Sequence, residues 1–283
     1  MRRINVKEPI HHRYLGALRM VDRVSGRALR RPFRIKAPGL TLFFNRSFLA
    51  VISHATGLGH HLAAFAAPPA SPPPDTLAFD VLVEDGSGQF LSRRATLRLP
   101  RAAAPEADNS LFTPFEIPLY PAPAAHVSPN WSVLRVSIYD LADVAAEKPV
   151  PGALVRLVDG DGRLRMSGLS DQRGEAAVLV PGIPITTFAA GTAAGEDADD
   201  DAADVWAAGG AVTETETPVH LEVIVGPGAA WPVDPDAIED QRAEWRRPFR
   251  TADSEQLRDG LPLALQTGRS RSVKLFVNLT ASE

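Results

Sequence analysis

Asp159-Gly160-Asp161-Gly162 begins as a calcium loop does. An EF-hand needs an oxygen ligand at the fifth place and a Glu at the twelfth, and those places hold Arg163 and Ser170. The segment is therefore expected to be a hairpin turn. Glu196, Asp197, Asp199, Asp200, Asp201 and Asp204 form a denser acidic run. The glycines around it (Gly191, Gly195, Gly209, Gly210) predict a solvated loop rather than a cation site. Histidines stand at positions 11, 12, 54, 60, 61, 126 and 220. His60 and His61 are adjacent, so on a strand they point to opposite faces and do not share one metal. The chain has no cysteine, which removes disulfides, thiolate metal sites and a Cys nucleophile. No Gly-x-Ser-x-Gly elbow is present, and Gly57-Leu58-Gly59 opens no helix to cradle a phosphate. On this reading no catalytic residue, metal ligand or cofactor is assigned.

The elements that would position such groups read as strands. Leu77, Phe79, Val81 and Val83 point one way, with Asp80 and Glu84 the other, up to Asp85-Gly86-Ser87-Gly88, and Ala95, Leu97 and Leu99 return. Earlier candidates run from Tyr14 to the Ser25-Gly26 turn, then over residues 31–37, 40–45, 48–53 and 61–65. Later ones are Leu134, Val136 and Ile138; Val219 to Val225; and Val273 to Leu279. One helix is predicted over 235–246, with Asp234 as N-cap before a proline at the first helical position. The expected fold is mainly β, two tandem Ig-like or transthyretin-like β-sandwiches. An extended arm covers 1–13 and a first sandwich 14–104. A Pro-rich linker covers 105–128, packing Phe112, Phe115 and Tyr120 on a domain face. A second sandwich covers 129–283, carrying the acidic loop 189–210 and an insertion 226–270. Asp22 with Asn45-Arg46-Ser47-Phe48 sits where Asp140 with Asp171-Gln172-Arg173-Gly174 sits later, which suggests an internal repeat.

The stretch from Val150 to Pro184 carries the most information. A Pro151-Gly152-Ala153 entry leads through the Asp159 hairpin to the turn Ser170-Asp171-Gln172-Arg173-Gly174. Ala176, Val178 and Val180 then alternate up to Pro181-Gly182. This resembles the carboxypeptidase regulatory-like (transthyretin-like) β-sandwich family over about a third of the chain. The resemblance implies a binding or structural module, with Gly152, Asp171 and Gly174 as structural turn residues. Related enzymes depart from it. Intradiol dioxygenases use two Tyr and two His on iron; only Tyr14, Tyr120 and Tyr139 occur here, and no closely spaced His pair lies downstream of the Asp171 turn. Hydroxyisourate hydrolases end Tyr-Arg-Gly-Ser, and this chain ends Thr280-Ala281-Ser282-Glu283. A wider order also resembles accessory structural proteins of phage-tail-like contractile injection assemblies. That order runs from Leu97-Arg98-Leu99-Pro100-Arg101 through Ile117-Pro118-Leu119-Tyr120-Pro121 to a sandwich with Val180-Pro181-Gly182-Ile183-Pro184.

Charge bears on partners. Residues 1–104 carry 16 Lys/Arg against 6 Asp/Glu, whereas residues 105–283 carry 14 against 28. A basic end and an acidic end suit head-to-tail contact between subunits. The basic half lacks the Lys clusters and interleaved aromatics of a nucleic-acid surface. Arg2, Arg3, Lys7, Arg13, Arg30, Arg31 and Arg34 are the expected partner-binding residues. Met1-Arg2-Arg3 is followed by no apolar run, so no signal peptide and synthesis in the cytoplasm are expected, and no membrane span is expected. Arg in place of Lys, with abundant Ala and Pro, fits high-GC bacterial coding. The expectation is a non-enzymatic structural or adaptor subunit of a large bacterial assembly, its partners other protein subunits. The alternative is a carbohydrate- or peptide-binding β-sandwich, with Trp206 and Trp231 in loops.

Overall fold

The computed structural model describes residues 14–59, 76–102, 104–183, 186–188, 212–214, 216–228 and 230–280. The chain forms two compact units. One comprises the residues up to Pro121 together with Pro232–Asp236, and the other comprises Ala122–Trp231 and Ala237 onward.

The first unit is a sandwich of seven strands: β1 (Gly16–Asp22), β2 (Arg34–Lys36), β3 (Leu40–Phe44), β4 (Ala50–Ala55), β5 (Leu77–Glu84), β6 (Arg93–Leu99) and β7 (Phe115–Leu119). One sheet has the order β3-β4-β1-β7 and the other β2-β5-β6. Period-two alternation turns Leu18, Met20, Ile52, Val81, Val83, Leu97 and Leu99 into one shared core. Each such Val or Leu contributes roughly 1.5–3 kcal/mol by leaving water. Strand β7 corrects the linker expected over 105–128. Ile117 and Leu119 are buried, so the segment gains more by pairing parallel to β1 than by staying extended in solvent. Its Pro118 is tolerated because β7 is an edge strand, where a missing N–H breaks no ladder. Tyr120 is buried, but Phe112 is 64% exposed.

The second unit contains β8 (Ser132–Asp140), β9 (Leu154–Val158), β10 (Leu164–Leu169), β11 (Glu175–Val180), β14 (Thr217–Ile224), β15 (Phe249–Thr251), β16 (Leu261–Leu265) and β17 (Ser270–Val277). A separate hairpin joins β12 (Thr186–Phe188) to β13 (Val212–Glu214). The sheets are β10-β9-β14-β16 and β11-β8-β17-β15. The expected insertion 226–270 is in part sandwich. Phe249 is fully buried, and Leu263 and Leu265 alternate into the core, so β15 and β16 are drawn into the two sheets. The single expected helix is two short ones, α1 (Pro235–Asp240) and α2 (Arg242–Trp245), because Gln241 leaves the helical region (φ −99°, ψ 17°). The Asp234 carboxylate accepts from the Asp236 N–H at 3.1 Å, the cap expected before Pro235.

The two sandwiches share most of one topology. In the first, β1 pairs antiparallel with β4 and parallel with β7. In the second, β8 does the same with β11 and β17. Opposite them, β2-β5-β6 matches β9-β14-β16, all antiparallel. The likeness extends to atoms. Asp22 Oδ1 and Asp140 Oδ1 each accept from the N–H two residues on, both at 3.0 Å. Asn45 Oδ1 accepts from Ser47 and Leu49 N–H at 2.9 and 3.0 Å, as Asp171 Oδ1 does from Arg173 and Glu175 at 2.8 and 3.0 Å. These are Asx turns, in which a side-chain oxygen stands in for a backbone acceptor. The departure is the strand before that turn. Strand β10 stays on β9, whereas β3 crosses to pair with β4.

Candidate interaction surface

Four of the expected partner-binding residues, Arg2, Arg3, Lys7 and Arg13, lie outside the described residues, as do His60, His61 and the acidic run 196–204. Of the others, Arg30 and Arg34 are exposed. Arg31 is occupied within its own unit. Its Nη2 donates to Asp85 Oδ2 at 2.7 Å and its Nη1 to Ser87 Oγ at 2.7 Å. The guanidinium also lies 5.2 Å from the ring centroids of both Phe33 and Phe90. Asp85 in turn accepts from the backbone N–H of Ser87, Gln89 and Phe90. Burial alone would raise its carboxyl. The hydrogen bonds from Ser87 and Phe90 and the charge of Arg31 outweigh it and hold the group below the usual carboxylate range.

The motif residues build a locked corner. Gly152 and Gly174 both have positive φ, 73° and 75°. Ser170, fully buried, donates through Oγ to the Val150 carbonyl and accepts from the Ala153 N–H, both at 2.8 Å, so the Pro-Gly entry is tied to the start of the Asp171 turn. The Asp159 segment is a hairpin between β9 and β10. Asp159 Oδ1 accepts from the N–H of Asp161 and Arg163 at 3.0 and 2.9 Å. The Arg163 N–H is the chief cause of its carboxyl's lowered pKa. Its oxygens serve the turn.

Two charged networks were not anticipated from sequence. Arg156 on β9 lies directly opposite Glu222 on β14, and the pair is nearly buried at 2.6 Å. Glu239 of α1 reaches Arg156 at 3.1 Å and Arg246 reaches Glu222 at 3.0 Å. The signal was present: each is a lone charge inside an apolar strand, and apolar Leu154 and Val158 share the parity of Arg156, so that face had to be covered. Arg93, fully buried in the first unit, donates to Asp234 and Asp236 at 3.1 and 2.6 Å and to the carbonyls of Arg94 and Pro118. In both networks every guanidinium faces carboxylates or carbonyls, an arrangement that fixes geometry.

Among the described residues, no group of three or more His, Asp or Glu side chains is placed to hold a metal ion. A groove of about 490 Å³ on the second sandwich is lined by Ser137, Asp253, Arg271 and Lys274 among others. Its Ser137 hydroxyl donates to Glu175 at 3.0 Å. No helix of the described residues is long and apolar enough to cross a membrane.

No family model and no curated protein matches the sequence. Among solved structures, the chain is similar to the Bacillus anthracis TIE protein, at 8% identity and a TM-score of 0.27. That match covers 94% of this chain and 34% of that one. It is also similar to GBS52, the minor pilin of Streptococcus agalactiae, at 9% identity and a TM-score of 0.28, over 85% of this chain and 68% of that one. The chain thus spans about a third of the length of the TIE protein. What the geometry itself establishes is a mainly β chain of two sandwiches that share most of their strand pairings.

Proposed function

We propose that this chain is a non-enzymatic structural or adaptor subunit of a large bacterial protein assembly, of the phage-tail-like contractile injection kind, whose sandwiches belong with the carboxypeptidase regulatory-like modules. The observation that carries the reading is the way its charge is used. Three buried charges, Arg93, Arg156 and Glu222, are held in internal pairs. The surplus is segregated, basic in residues 1–104 and acidic beyond. Internal pairs fix each sandwich, and segregated surface charge steers docking.

Affinity capture of the tagged full chain from its native lysate, followed by sedimentation, tests this. The expected result is co-sedimentation with a particle of many protein subunits. Removal of residues 1–12, which hold Arg2, Arg3 and Lys7, is expected to leave both sandwiches folded and to lower incorporation. Recovery only as a free protein retained on a glycan or peptide column would replace this reading with the ligand-binding one.

A further inference from the structure

The turn Asn45-Arg46-Ser47-Phe48 differs from its counterpart at one telling place. Gly174 closes the Asp171 turn at φ 75°, and Phe48 closes the Asn45 turn at φ 59°. The closing hydrogen bonds are the same: Gly174 N–H to the Asp171 carbonyl at 3.0 Å, and Phe48 N–H to the Asn45 carbonyl at 3.1 Å. A bulky residue in the left-handed region is a genuine outlier, costly unless something is gained. Nothing is gained inside the sandwich, because the Phe48 side chain does not join the core and the residue is 37% exposed.

It has company. Phe43 and Phe44 at the end of β3 are 43% and 36% exposed, and Tyr14, 39% exposed, packs its ring 5.6 Å from that of Phe43. Several other aromatics are capped by cations. Arg31 lies over Phe33 and Phe90, Arg101 over Phe115, and Arg250 and Lys274 over Phe276. Strand β3 is also the edge of its sheet, and its sequence Leu-Thr-Leu-Phe-Phe has neither the charge nor the proline that blunts an edge. Its counterpart β10 lies on the opposite sheet of the second sandwich. The first unit thus places this strand on the edge of the other sheet and strains the turn after it, leaving Phe43, Phe44 and Phe48 exposed around the exposed Arg46.

We propose that the β3–β4 hairpin is the docking element for the acidic half of a second copy of this chain, giving a head-to-tail contact. This rests on the assembly reading above and names its partner. Charge selects the occupant, since the hairpin stands in the basic half and its complement, 28 Asp/Glu against 14 Lys/Arg, is the other half of the same chain. A head-to-tail contact uses two different surfaces, so it propagates into a series of oligomers rather than stopping at a dimer.

Sedimentation velocity of the purified full chain, from 5 to 200 µM at low and high salt, tests the proposal. Expected is a concentration-dependent series of oligomers that recedes as salt rises, with Phe43→Ser and Arg46→Glu each weakening association tenfold or more at unchanged circular dichroism. Phe48→Gly is expected to raise the melting temperature while weakening association, because it removes the strain and the contact together. A chain that stays monomeric throughout, or association that none of the three variants weakens, overturns the proposal even where particle capture succeeds. A chain that oligomerises as described but joins no particle leaves this contact standing and removes the assembly reading. A Phe48→Gly protein that is less stable than the parent overturns the strain argument and the proposal with it.

Discussion

A β-carbon on Gly174 would stand 2.3 Å from the carbonyl oxygen of Ile138. That oxygen accepts from the Val150 N–H at 3.0 Å, and the Ile138 N–H donates to the Gly174 carbonyl at 2.8 Å. The turn, the first strand of the second sandwich and the Pro-Gly corner thus meet at one residue without room for a side chain. Gly174→Ala carries both a left-handed penalty and a clash with backbone that cannot move alone. It should destabilise the second sandwich by about 2–4 kcal/mol, and Gly174→Val by more. Chemical denaturation of the two variants checks this. A midpoint within experimental error of the parent would remove the corner from the fold's requirements.

Asp85 ties its hairpin to Arg31 in its ionised form. Its folded-state pKa lies below the usual carboxylate value, so its contribution is fully present above about pH 4, the unfolded value, and is lost as pH falls through the lowered folded value. Asp85→Ala should lower stability by about 1–3 kcal/mol at pH 7, since several donors lose their acceptor. The gap between variant and parent should narrow below pH 4. Melting temperatures of the two proteins from pH 7 to pH 2.5 provide the comparison.

Glu222 and Arg156 face each other across β14 and β9 with little water. Glu222→Leu alone strands the guanidinium and should cost about 3–5 kcal/mol. The double change Arg156→Leu with Glu222→Leu should recover most of that loss, because the desolvation of both ions is also removed. A double-mutant cycle by urea denaturation measures the coupling. Strict additivity would mean that the pair does not act as one.

Arg93 uses its fork fully, with Nη2 shared between Asp234 and Asp236. Arg93→Met should lower the stability of the first sandwich by about 3–5 kcal/mol. Arg93→Lys should recover little, since an ammonium cannot span two carboxylates and two carbonyls at once. Hydrogen exchange of the β6 amides, read beside the melting temperature, distinguishes local loosening from global loss.

Local sequence carried the elements with their own signals. Alternation with turn glycines gave β5 with β6 and β9 with β10, where neighbours in sequence pair in space and the turn fixes the register. The Asx turns at Asn45 and Asp171 were legible for the same reason, because the acceptor and both donors lie within five residues. Asp234 announced its helix through one carboxylate and the proline after it.

Tertiary structure decided what depended on distant partners. Phe115–Leu119 reads as a Pro-rich linker until β1 offers an edge on which Pro118 does no harm. Phe249 and Leu263 look like parts of an insertion until the core of the second sandwich takes them up. Arg93 and Asp234 are 141 residues apart, and no local pattern joins them. The hairpin of β3 and β4 shows the division most plainly. The sequence by itself determined the turn and the aromatics around it, since both are set by neighbouring residues. Whether β3 would lie on β2 or cross to β4, and so whether those rings would be covered or displayed, depended on which edge stood open, a property of the assembled sheets.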